Sequence, residues 1–253
     1  MSAYFESLNR QVSTPPVASA PAPAQMRPAD SDAAPRVAAE RRRLTPGAVP
    51  AAYAGLRERL IVAAKGKVLK SLVFAGCDGA EGCTELVREF AESLASSGLT
   101  VLLIDGDLRT AGLTAGIAPG GADLAELVRT KGAPEAAPWG RGRLAVVACP
   151  GSVTDKESFL RSQELATWLD GQRVNFDYTL VDSSPIVRYS DGVLTSLFTD
   201  GLVLVAKSGV TRGSSLARAR QEVERAGGVV LGVILNRFRD PVPAALRRLL
   251  PTT

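Results

Sequence analysis

The chain has no histidine in its 253 residues. That excludes Ser-His-Asp and Cys-His catalysis, and it removes the commonest ligand of a zinc enzyme. Its three cysteines, Cys77, Cys83 and Cys149, form neither a zinc pattern nor a disulfide framework. Aromatic residues are only 5% of the chain, and no basic run is interleaved with them, so nucleic acid is not an expected partner. No stretch approaches the roughly 20 apolar residues that span a bilayer, and the N-terminus has no apolar leader core; the expected location is the cytosol. A net charge of +4 permits contact with an anionic membrane surface without requiring it.

The sequence is uneven along its length. Eight of its 16 prolines lie in the first fifty residues (Pro15, Pro16, Pro21, Pro23, Pro28, Pro35, Pro46 and Pro50). This predicts a linker over 13–50, because such a composition cannot offset its ordering entropy by burial. Tyr4, Phe5, Leu8 and Val12 could mark a short helix before it, read equally well as a frayed terminus or a docking helix. The expected organisation is therefore 1–50 as helix and linker, 51–240 as the folded domain, and 241–253 as a short amphipathic tail.

Within 51–240, apolar runs alternate with helical spacing. Predicted helices are 52–64, 84–97, 122–130, 157–169 and 214–226, with a short one starting at Asp191. Predicted strands are 72–75, 99–104, 144–148, 178–181, 201–206 and 229–235. The fold class this implies is α/β: a doubly wound, mostly parallel sheet flanked by helices.

The central stretch is Leu72 to Leu86, LVFAGCDGAEGCTEL: strand, glycine-rich loop, helix. Backbone N–H groups from Gly79, Ala80, Glu81, Gly82, Cys83 and Thr84 would cradle phosphate oxygens, and Thr84 stands where a loop Ser/Thr ligates Mg²⁺. The lysine of the pattern G-x-x-x-x-G-K-[ST] is missing: Cys83 takes its place, and Cys77 takes that of the first glycine. Two further strand ends carry carboxylates. The run Leu99 to Ile104 ends in Asp105-Gly106-Asp107, and Tyr178 to Val181 ends in Asp182-Ser183-Ser184-Pro185. Acids at the C-terminal ends of parallel strands lie where open α/β sheets bind ligands, and an apolar strand closing on Asp is the Walker B arrangement. Asp105, Asp107 and Asp182 are the expected catalytic acids, with Thr84, Asp105 and Asp182 around Mg²⁺ and ATP or ADP on the loop.

With those motifs the chain resembles the bacterial tyrosine kinases of capsule and exopolysaccharide synthesis, within the MinD/ParA-type P-loop proteins. Leu102 to Arg109, LLIDGDLR, is similar to the family's second acidic motif. Asp182 to Pro185, with Asp191 beyond, is similar to its Walker B segment. Gly232 to Asn236, GVILN, is similar to the strand whose Asn contacts adenine, which implies a cofactor role for Asn236 and the adjacent Arg237. Tyr53 to Arg57 is similar to the segment used in ring assembly, so self-association is implied. So is a partner: the cytoplasmic face of a membrane polysaccharide co-polymerase, with the chain peripheral to the inner membrane.

The chain departs from the family at Cys83, at Ala51 and Ala54 of the assembly segment, and in its tail, which has no tyrosine after Asn236. Two readings follow. One is a degenerate kinase relative acting as a regulatory partner. The other is a working ATPase or tyrosine kinase with a substituted cation, drawn from Arg109, Arg57, Arg237 or a partner's arginine finger. A thiol switch at Cys83, at a helix N-terminus, is a third idea beside the plain one that Cys fills a small site.

Overall fold

The computed structural model describes residues 53–116, 122–149, 151 and 153–238. The expected N-terminal helix and linker, and the amphipathic tail at 243–250, lie outside the described residues. Eight strands form one sheet. In chain order they are β1 (Ser71–Gly76), β2 (Thr100–Asp105), β3 (Ala122–Asp123), β4 (Ala137–Trp139), β5 (Gly142–Ala148), β6 (Tyr178–Ser183), β7 (Gly201–Lys207) and β8 (Val230–Asn236). Their spatial order is β3-β5-β2-β6-β1-β7-β8, with β4 alone antiparallel, against β5. The doubly wound parallel sheet expected from the alternation is therefore present.

The helices are α1 (Ala54–Ala63), α2 (Cys83–Ser96), α3 (Gly112–Gly116), α4 (Leu124–Thr130), α5 (Lys156–Leu160), α6 (Gln163–Gly171), α7 (Asp191–Ser196) and α8 (Gly213–Arg225). Strand side chains alternate between faces, so β1 sends Leu72 and Phe74 to one side and Val73 and Ala75 to the other. Leu72 and Phe74 meet Leu86, Val87, Phe90 and Leu94 of α2. Val73 and Ala75 share the opposite core with Leu165, Trp168 and Leu169 of α6, Leu194 of α7 and Val223 of α8. Both faces are covered, which is why β1, β2, β6 and β7 read as nearly continuous apolar runs. Phe90 is fully buried, and burying such a side chain contributes about 1.5–3 kcal/mol.

Several expectations are corrected. The helix predicted over 157–169 is two helices, because the Ser162 hydroxyl accepts a hydrogen bond from the Leu165 N–H and starts α6 afresh. The helix predicted from Ala122 begins at Leu124; Ala122 and Asp123 pair with β5, and the Asp123 carboxylate caps α4 by accepting from the Glu126 N–H. The hairpin strand β4 and helix α3 were not anticipated, since three and five residues are too few to show a period. At the N-terminal edge Asp200 anchors β1: its Oδ2 accepts from the N–H groups of Lys70 and Ser71 at 2.6 and 2.8 Å, while Arg173 bonds Oδ1 at 2.9 Å.

Candidate functional site

Strands β2, β6 and β1 are neighbours, and β6 was inserted between the other two late in the chain. Their C-terminal ends therefore meet where the order of winding reverses, the usual place for a ligand in an open α/β sheet. Asp105 and Asp182 face each other in register across β2 and β6. The close approach depends on Gly106: a Cβ there would lie 2.7 Å from Val181 Cγ1 and 2.8 Å from the Asp182 carbonyl oxygen, to which the Gly106 N–H donates at 2.8 Å.

The three acids have different surroundings. Burial pushes Asp107 up, but hydrogen bonds from the Ser184 hydroxyl at 2.5 Å, from Thr110, and from the Arg109 N–H at 3.0 Å outweigh it and hold the carboxyl below its ordinary value. Asp105 is raised by burial, against two bonds from Thr114, N–H at 2.6 Å and Oγ1 at 2.5 Å, and one from the Asp107 N–H. Asp182 is 1% exposed, and burial pushes it up to about 7. The Thr84 hydroxyl and Cys83 thiol face it and oppose that rise, yet neither carboxylate oxygen has a partner at ordinary hydrogen-bond geometry. An orphaned, buried carboxylate at this strand end calls for a cation or ordered water. Thr84, facing it from the first turn of α2, fits a Mg²⁺ site. Among the described residues no three His, Cys, Asp or Glu converge as a metal cage. Mg²⁺ here would be held by the Thr84 hydroxyl, Asp182, water and phosphate oxygens.

The loop turns on glycines as a phosphate cradle does, but the Gly79 N–H expected to face phosphate is taken by the Glu81 carboxylate. Gly79 and Gly82 have φ of +105° and +72°, which favours glycine at both. Gly82 leads directly into α2. Glu81 was expected to contribute only its N–H group. Its side chain instead folds into the loop, 2% exposed, accepting from the N–H groups of Asp78 at 2.9 Å and Gly79 at 2.7 Å. Gly76 permits this, because a Cβ there would stand 2.6 Å from Glu81 Oε2. Asn236, at the end of β8, braces the loop from below: its Nδ2 donates to the carbonyls of Glu81 at 2.8 Å and Gly82 at 3.3 Å.

The expected substitute cations are otherwise engaged. Arg57 lies at the far end of β6, bonding the Tyr178 hydroxyl at 3.3 Å, and does not reach the loop. Arg109 grips both oxygens of Asp191 at 3.2 and 3.1 Å and stacks on Tyr189. Arg237 does lie against Gly82, but its guanidinium pairs with Glu85 at 2.9 Å. Burial, then the Asp182 carboxylate, push the Cys83 thiol well above the ordinary value, which disfavours the thiolate that a thiol switch would need. Thr110, Thr114 and Ser184 were missed; only for Thr110, three residues past Asp107, does the spacing signal such a turn.

No protein-family profile matches the chain. It is 27% identical over 190 residues to the tyrosine-protein kinase CpsD of Streptococcus agalactiae, covering 70% of this chain and 79% of CpsD. It is 31% identical over 165 residues to the succinoglycan biosynthesis transport protein ExoP of Rhizobium meliloti, covering 62% of this chain but 21% of ExoP. The solved BceF tyrosine kinase domain superposes with a TM-score of 0.61 at 26% identity, over 72% of this chain and 75% of that one. The resemblance to bacterial tyrosine kinases of capsule and exopolysaccharide synthesis, and the P-loop-type fold, are borne out.

Proposed function

We propose that this relative of the bacterial tyrosine kinases is a degenerate member that binds a Mg-nucleotide without turning it over. On this reading it acts as a regulatory partner of a membrane polysaccharide co-polymerase, peripheral to the membrane. No described helix is long and apolar enough to cross a membrane.

The observation that carries this reading is Cys83 facing Asp182. The residue that should bring an ammonium to the β- and γ-phosphates brings an un-ionised thiol to a buried carboxylate instead. The rest of the scaffold supports binding: the glycine loop, Thr84, an orphaned Asp182 beside Asp105, and Asn236 beneath the loop. When bound, Mg²⁺ would neutralise phosphate charge. Asp107, held ionised by Ser184 and Thr110, keeps the β2 end negative, and Asp182 gives up its proton when a cation arrives. A γ-phosphoryl transition state gains extra charge stabilisation only from groups that track it, and the loop has lost its main one. Residues 237–253 contain no tyrosine.

Steady-state hydrolysis of Mg-ATP by the isolated protein tests the reading. The expected rate lies far below the roughly 1–100 s⁻¹ of kinases. Turnover in that range, abolished by Asp105→Asn, overturns it in favour of an active enzyme with a substituted cation.

A further inference from the structure

A loop without its lysine leaves nucleotide phosphates facing a strongly acidic floor of Asp105, Asp107 and Asp182, with the Glu81 carboxylate on the Gly79 N–H as a fourth acid. Binding then needs positive charge from elsewhere. Lys156 donates to the Leu108 carbonyl; Arg109 and Arg237 are paired with Asp191 and Glu85. Arg188, on the segment between β6 and α7, differs from all of them. It is exposed, and among the described residues its guanidinium has no carboxylate partner and no side-chain hydrogen bond. It stands against the loop: a Cβ on Gly79 would touch Pro185 Cγ at 3.1 Å and Arg188 Nη1 at 3.9 Å. Behind it, Arg218 and Arg225 of α8 line the same cleft of about 430 Å³, with Glu222 the one acid there. Two like charges at its back favour an anion at its front.

Gly79 lies five residues before Thr84, at the loop end away from α2. A polyphosphate with its Mg²⁺ at Thr84 and its inner phosphate at the start of α2 runs toward that end. We propose that Arg188 supplies the charge lost at position 83, meeting the terminal phosphate of a bound nucleoside triphosphate from outside the loop. A long, solvent-exposed side chain placed this way contacts ground state and transition state alike. It lowers the dissociation constant without accelerating transfer, which is the behaviour proposed above. The inference rests on the nucleotide-binding reading.

The test is a set of calorimetric isotherms for Mg-ATP and Mg-ADP at one salt concentration, on the original protein, Arg188→Ala, Arg188→Lys and Cys83→Lys. Losing one charge-assisted contact should weaken Mg-ATP about tenfold to a hundredfold in Arg188→Ala, with Mg-ADP changed by less than about threefold and Arg188→Lys close to the original. An unchanged melting temperature for Arg188→Ala confirms that the exposed substitution leaves the fold intact. Equal Mg-ATP affinity in Arg188→Ala and the original overturns the proposal, as does an equal loss for ATP and ADP. If the original binds neither nucleotide while Cys83→Lys binds, Arg188 is not the substitute and the nucleotide-binding reading of the natural protein falls as well, the loop being a phosphate scaffold that has lost its charge. If neither binds, both fall together.

Discussion

Replacing Asp182 by Asn should stabilise the protein, and increasingly so as pH rises. In the unfolded chain this carboxyl titrates near 3.8, and in the folded protein near 7. Between those values the folded state retains a proton that the unfolded state has released. Stability therefore falls as pH rises through the window and is level above it. Each pH unit contributes at most 1.36 kcal/mol, so about three units give a ceiling of about 4 kcal/mol at pH 8 relative to pH 4. Asp105, also raised, adds to the fall, and Asp107, lowered, opposes it in a more acid range; both are retained in the variant and largely cancel in the difference. The assay is urea unfolding from pH 4 to pH 8 for both proteins without nucleotide or divalent metal. The expected result is a stability difference that grows by several kcal/mol across the window at constant m-value. Parallel pH profiles, differing by less than about 1 kcal/mol throughout, would refute the claim that burial without a partner dominates at Asp182.

Cys83→Lys should bind Mg-ATP about tenfold to a hundredfold more tightly than the original, since an ammonium then meets phosphate charge at short range; paired isotherms at fixed salt and Mg²⁺ decide it, and unchanged or weaker binding means the loop is shaped for something else. Gly106→Ala should destabilise by about 1–3 kcal/mol through overpacking against Val181 and the Asp182 carbonyl, and should weaken nucleotide binding as well because those atoms hold β2 against β6; thermal melts and the same isotherms read both effects, and a variant as stable as the original would show that β2 can yield there.

The fold was legible because its parts announce themselves over several residues. Continuous apolar strands, α2 with Leu86, Val87, Phe90 and Leu94 on one face, and acids closing two strands are period and composition signals that survive without knowledge of the partners. The elements that escaped, β4 and α3, are shorter than a period, and the break at Ser162 is made by one hydroxyl. The site was half legible. Thr84 could be named from the glycine loop and Asp105, Asp107 and Asp182 from strand ends, whereas Thr114 and Arg188 sit in segments with no motif of their own, and nothing in the Asp182–Pro185 motif says that Ser184 bonds Asp107.

The amino-acid order alone thus determined the strand–loop–helix succession, the loss of the loop lysine at Cys83, and the identity of the acids. It could not say what state those acids are in. That is a property of burial and of neighbours distant in sequence: Ser184 crosses 77 positions to hold Asp107 ionised, while Asp182, at the same strand level, is left without a partner and holds its proton to about pH 7. Nor could it choose among arginines. Arg57, Arg109, Arg188 and Arg237 are equivalent as letters, and only the winding of the sheet puts Arg57 at the wrong end, pairs Arg109 and Arg237 with carboxylates, and leaves Arg188 against Gly79 with no carboxylate partner among the described residues. Charge acts through distance and dielectric, and both are set by the packed chain rather than by its order.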